Sequence, residues 1–177
     1  MLCKDNVNTY VEVERHGLDD DALSGFVLDV NDDLALLNYV TNDFRLDGYC
    51  VVRTRDITAC NLFDDPTSFQ LRALRLKGVR SKKPKAIDLT NWGTVVESLA
   101  KQFPILIVHR EEVSNDSCLV GRVIAVDDQS VTLHSISPTA AWEKKTRLMV
   151  AQMTRIDCGG GYEDALWKVA SEGKHSV

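Results

Sequence analysis

Apolar and polar residues alternate with a period of two along much of this chain. Val11 and Val13 are interleaved with Glu12 and Glu14, the pattern of a strand with one dry and one wet face. Ile105-Leu106-Ile107-Val108 is a more uniformly apolar run of the same kind. Further strands are expected at 25–30, 34–40, 49–53 and 57–60, then at 121–126, 131–136, 147–150 and 153–156. Asn31-Asp32-Asp33 and Asp127-Asp128-Gln129 read as turns, because Asn and Asp side chains bond their own nearby main chain. Three segments switch to helical spacing. Phe69, Leu71, Leu74 and Leu76 support a helix from about Thr67, with Pro66 near its start. A second takes Thr90 or Asn91 as its cap, runs through Trp92, Val95, Val96 and Leu99, and stops before Pro104. A third follows Gly159-Gly160-Gly161; Tyr162, Ala165, Leu166 and Val169 share a face, and Glu163 and Asp164 favour its N-terminus.

Two stretches of this pattern align without a gap. At an offset of 96, Gly25, Val27, Val30 and Asp32 fall on Gly121, Val123, Val126 and Asp128, and Leu28 falls on Ile124. The offset continues through Leu37/Leu133, Val52/Leu148, Ile57/Met153 and Thr58/Thr154. The expectation is an internal repeat. Positions apolar in both stretches, Val27/Val123, Leu28/Ile124, Val30/Val126, Leu37/Leu133, Val52/Leu148 and Ile57/Met153, are expected to face inward. Phe26, Leu34 and Leu36 stand against Arg122, Ser130 and Thr132, so they form an apolar face in one stretch only. That face is expected to cover a helix, the other barrel or a partner, so these residues are a candidate partner surface.

The pattern Gly-x-Val-x-x-Val-x-Asp, followed by a Leu-rich strand and a short closing strand, resembles an Sm-like or SH3-like five-stranded barrel. The resemblance covers the scaffold. Sm-like proteins carry an Arg-Gly pair that contacts RNA; Arg53-Thr54 comes closest here, and Met149-Val150 stands at the second position. The Asn that reads a base is missing from both stretches. Separately, 43–49 and 159–166 are similar to segments of an uncharacterised bacterial protein family. The expected fold is therefore α+β and mainly β: two tandem five-stranded Sm-like/SH3-like barrels with a helical linker and a C-terminal helix. The expected boundaries are a first barrel at 1–65, a helical basic linker at 66–103, a second barrel at 104–158, and a helix and tail at 159–177.

Composition narrows the class. The 177 residues are 44% hydrophobic and 27% charged, as in an ordinary globular protein. No run approaches a membrane span, and Met1-Leu2-Cys3-Lys4-Asp5 has no apolar signal region. Cys3, Cys50, Cys60, Cys118 and Cys158 are odd in number and scattered, which points to a reducing, cytoplasmic setting rather than a disulfide framework or a zinc site. The net charge of −5 is unevenly spread: 1–65 hold fourteen acids and five bases, whereas 66–110 hold two acids and nine bases. Six of the eleven residues from Arg75 to Lys85 are cationic. Arg72, Arg75, Lys77, Arg80, Lys82, Lys83 and Lys85 are thus candidates for contact with nucleic acid or another acidic partner. No aromatic residue interleaves the 75–85 run to stack on bases, and a solvated helix end explains the same residues.

Other chemistry is weaker. The triple glycine lacks the Lys and Ser/Thr of a phosphate loop. Asp19-Asp20-Asp21 and Asp29 with Asp32-Asp33 fit no calcium-loop spacing. His16, His109, His134 and His175 pair with no second ligand at metal spacing, and no nucleophile elbow is present. No cofactor, metal or catalytic residue is expected. The leading expectation is a non-catalytic binding or adaptor module with a protein partner. The alternative is an RNA-associated module that uses the basic linker.

Overall fold

The computed structural model describes residues 2–113 and 118–172; His175 lies outside the described residues. The period-two segments form strands: β1 (Tyr10–Glu14), β2 (Leu23–Val30), β3 (Leu34–Val40), β4 (Leu46–Arg53), β5 (Ala59–Phe63), β6 (Leu106–His109), β7 (Cys118–Val126), β8 (Ser130–Ile136), β9 (Trp142–Met149) and β10 (Arg155–Cys158). The helices are α1 (Phe69–Leu76), α2 (Trp92–Ala100) and α3 (Gly161–Glu172).

The two expected five-stranded barrels do not close: antiparallel strands run in the order β5-β1-β2-β3-β4 within residues 1–84 and β10-β6-β7-β8-β9 within residues 85–177. Closure depends on which edges pair, and alternation along a strand does not encode that. Among the described residues, β5 pairs only with β1 and β9 only with β8. The exposed Glu143, Lys144, Lys145 and Arg147 keep the β9 edge in water. The internal repeat fails with the barrels: the 96-residue offset marks one hairpin geometry and its turn, not two copies of a closed unit.

The chain divides into two compact units, Met1–Pro84 and Lys85–Val177. In the first, β5-β1-β2-β3-β4 form a meander with β5 folded back onto β1. One face packs Val11, Val13, Val27, Val30, Leu37 and Val52 together. The other packs Tyr10, Val40 and Leu74 with Phe26, Phe63, Leu71 and Val79. In the second, β6 pairs with β7 and β10, and β7, β8 and β9 form a meander. Helix α2 opens on an Asn91 cap: Asn91 Oδ1 accepts from Thr94 N–H at 3.0 Å and Thr94 Oγ1 accepts from Asn91 N–H at 3.2 Å. Its Trp92, Val95, Val96 and Leu99 are buried. Leu166 of α3 packs with Ile105 and Ile136.

The turns behave as their residues imply. Asn31 Oδ1 accepts from the N–H groups of Asp33 and Leu34, and Asp127 Oδ1 from those of Gln129 and Ser130. The expected core needs one correction: Ile124 is 45% exposed, although its partner in the offset, Leu28, is buried. Among the described residues, no helix is long and apolar enough to cross a membrane.

Candidate partner-docking surface

Helix α1 begins where Ser68 accepts a hydrogen bond from Leu71 N–H at 3.4 Å, just after the Asp65 carboxylate binds Thr67. Leu71 and Leu74, three residues apart, point to the sheet and pack with Tyr10 and Phe63. That leaves Phe69, Arg72 and Leu76, at i, i+3 and i+7, on the opposite stripe. The sequence counts all four apolar residues as one supporting set. The structure splits them, because a short helix on a sheet can bury only one stripe. Phe69 is 71% exposed and Leu76 82%. The ring of Phe69 meets that of Phe44 edge-on, at 5.6 Å between centroids.

The segment after α1 is held by its backbone, and its cationic side chains face solvent. Gly78, at φ +67°, reverses the chain, and Val79 N–H donates to Leu74 C=O at 2.9 Å. Val79 then returns to the core. The buried Asn38 is the second anchor. Its Nδ2 donates to Gly48 C=O at 2.8 Å, and its Oδ1 accepts from Lys82 N–H at 2.8 Å. Sequence reasoning missed this residue; a polar Asn inside the apolar run 34–40 was the available signal. Arg72, Arg75, Lys77, Arg80, Lys82 and Lys83 are all exposed in the first unit. Lys77 donates to Asp43 C=O. Among the described residues, none of the other five cations enters an ion pair with the acidic residues of this unit. The Thr41 hydroxyl and then Arg45 hold the Asp43 carboxyl below its ordinary range. Lys85 belongs to the second unit, where its N–H donates to Gln102 Oε1 at 2.8 Å.

The apolar surface expected in the first stretch is not accessible. Leu34 and Leu36 are 2% and 3% exposed. Phe26 is half-buried, edge-on to Tyr10 at 5.5 Å between centroids. Arg53 is also turned inward and pairs with Asp56, so it offers no RNA contact.

The second unit holds a polar cluster that no motif announces. His109 Nε2 lies 2.7 Å from Asp157 Oδ2, Arg155 Nε donates to Asp157 Oδ1 at 2.7 Å, and Thr154 hydroxyl bonds Glu111. Burial pushes the Asp157 carboxyl up, but the His109 bond and Arg155 outweigh it and hold it below the ordinary value. Cys118 stands opposite His109 in the β6–β7 ladder. Partial burial of its sulfur raises the thiol above its ordinary value. His16 pairs with Glu14, and His134 stacks on Trp142. The triple glycine is served by its own helix: Gly160 N–H donates to Glu163 Oε1 at 3.4 Å. No group of three or more metal-ligating side chains occurs among the described residues. A cavity of about 530 Å³ in the first unit is lined by Leu2, Cys3, Lys4, Val30, Asn31, Asp32, Thr54 and Arg55.

No protein-family model, curated protein or solved structure matches the chain.

Proposed function

We propose that this chain is a non-catalytic binding module whose first unit docks an acidic protein segment on the outer stripe of α1 and the basic segment after it. One observation carries the reading: Phe69 and Leu76 are exposed on the same helical stripe as Arg72, and are followed by Arg80, Lys82 and Lys83, which enter no ion pair among the described residues. Apolar anchors ringed by one sign of charge fit a partner with apolar residues at helical spacing and carboxylates around them. Leu76 favours protein over RNA, because an aliphatic side chain gives bases nothing to stack on. The free, scattered cysteines support a reducing compartment, the cytoplasm.

The test is fluorescence anisotropy with a synthetic amphipathic peptide of leucine and glutamate, beside a single-stranded RNA of equal charge. The peptide should bind, and weaken as salt rises. Leu76→Ser or Phe69→Ser should weaken it by about tenfold or more, since each removes an apolar anchor worth roughly 1.5–3 kcal/mol. RNA binding of equal strength that ignores Leu76→Ser and is lost in a Lys82→Glu, Lys83→Glu variant would contradict the protein reading.

A further inference from the structure

The two strands left with a free edge are guarded unequally. Strand β9 carries Glu143, Lys144, Lys145 and Arg147, all exposed. Charges of this kind discourage an incoming chain from pairing. Strand β5 reads Ala59-Cys60-Asn61-Leu62-Phe63, with no charge and no proline. Among the described residues its main chain bonds only to β1. Every second N–H and C=O on its outer side is therefore open to a new strand.

Register fixes what that strand would meet. Leu62 and Cys60 stand opposite Val11 and Val13, so they lie on the apolar face. Cys60 packs against that core, yet Leu62 remains 47% exposed at the margin. Asn61 and Ala59 stand opposite Glu12 and Glu14, on the wet face. Phe63 stands opposite Tyr10, their ring centroids 5.5 Å apart, which closes the end of β5 nearest α1. His16 reaches Glu14, and among the described residues no cation pairs with Glu12. A strand added at the usual spacing of about 4.8 Å would set alternate side chains beside Leu62 and Cys60. The residues between them would lie within a lysine's reach of Glu12 and Glu14.

We infer that the outer edge of β5 is a strand-addition site for an extended protein segment that alternates apolar and cationic residues. Main-chain bonds would supply the affinity, the Leu62 margin and the two glutamates the choice of partner. This site is independent of the α1 surface and takes a partner of opposite charge.

The test uses the full chain and a capped octapeptide alternating valine and lysine. A second peptide has the same sequence and charge but is N-methylated at alternate backbone nitrogens. The unmodified peptide should bind, and methylation on the pairing edge should weaken it about tenfold or more, because donors are lost while charge is kept. Leu62→Lys, which restores an edge charge at an already exposed position, should weaken binding similarly. Leu76→Ser on α1 should leave it unchanged, so failure here is distinct from failure of the α1 reading. Equal binding of both peptides would overturn the inference, as would no binding at millimolar peptide. Self-association of the chain that Leu62→Lys abolishes would also overturn it, since the occupant would then be a second copy.

Discussion

In the first unit Gly25 faces Tyr39 across the β2–β3 ladder, and the register shifts between Val27 and Asp29. In the second, Gly121 faces Ser135 across β7–β8, and the shift falls between Val123 and Ala125. Both glycines are required by backbone. A Cβ on Gly25 would sit 2.6 Å from the Asn38 carbonyl oxygen, and one on Gly121 would sit 2.4 Å from that of His134. Coverage is where the hairpins part. Val27, Leu28 and Val30 are buried on β2, whereas Val123 and Val126 are half-buried and Ile124 is exposed on β7. The position opposite each glycine's neighbour differs as well. Asn38 is buried and grips the basic segment, while His134 stacks on Trp142 at 4.7 Å between centroids. Close backbone approach and a bulge fix the register; side chains and their neighbours decide what each face is used for.

The largest test of that separation is at the glycines. Gly25→Val and Gly121→Val should each cost about 3 kcal/mol or more, because backbone rather than a flexible side chain blocks the new atoms. Urea denaturation reads the cost. A large loss at one site and none at the other would break the shared-backbone half of the comparison. Next is coverage: Val27→Ala should cost about 2 kcal/mol and Val123→Ala less than about 1, since only the first opens a fully enclosed space. Equal losses would contradict the burial difference.

Asn38→Ala should cost about 1–2 kcal/mol by leaving Gly48 C=O without its side-chain donor and Lys82 N–H without its acceptor. Hydrogen exchange at the Lys82 amide should accelerate while β3 amides stay protected. Protonation separates the units further. Asp157 is held below its ordinary carboxyl value in the folded state. Its contribution to stability is therefore complete above the unfolded carboxyl value near 4 and is lost as pH falls through the lower folded value. An acid titration of thermal midpoints should show this loss, and Asp157→Asn should remove it. The smallest effect belongs to the docking surface: Lys82→Glu with Lys83→Glu should change stability by no more than about 0.5 kcal/mol, because both side chains are exposed.

Much of the strand pattern was legible, because alternation at Val11–Glu14 and the Asn31 and Asp127 turns are local physics. The Asn91 cap was legible for the same reason. The sheet's openness was not: nothing in the residues of β5 names the strand it will or will not pair with. The docking surface was half legible. The cations from Arg72 to Lys83 stand out as a charge run, but the split of Leu71 and Leu74 from Phe69 and Leu76 depends on which stripe meets Tyr10 and Phe63. Phe26, Leu34 and Leu36 were legible as an apolar excess in one stretch, but not whether the protein itself or a partner covers them, because such an excess signals burial as readily as exposure.

The most direct test of the docking surface is NMR mapping of amide shifts while the leucine–glutamate peptide is titrated into the full chain. The account predicts shifts concentrated at residues 69–83, with Phe69, Leu76 and Lys82 among the largest and β7 and β9 silent. Shifts centred outside that segment, or shifts unchanged in Leu76→Ser, would contradict it.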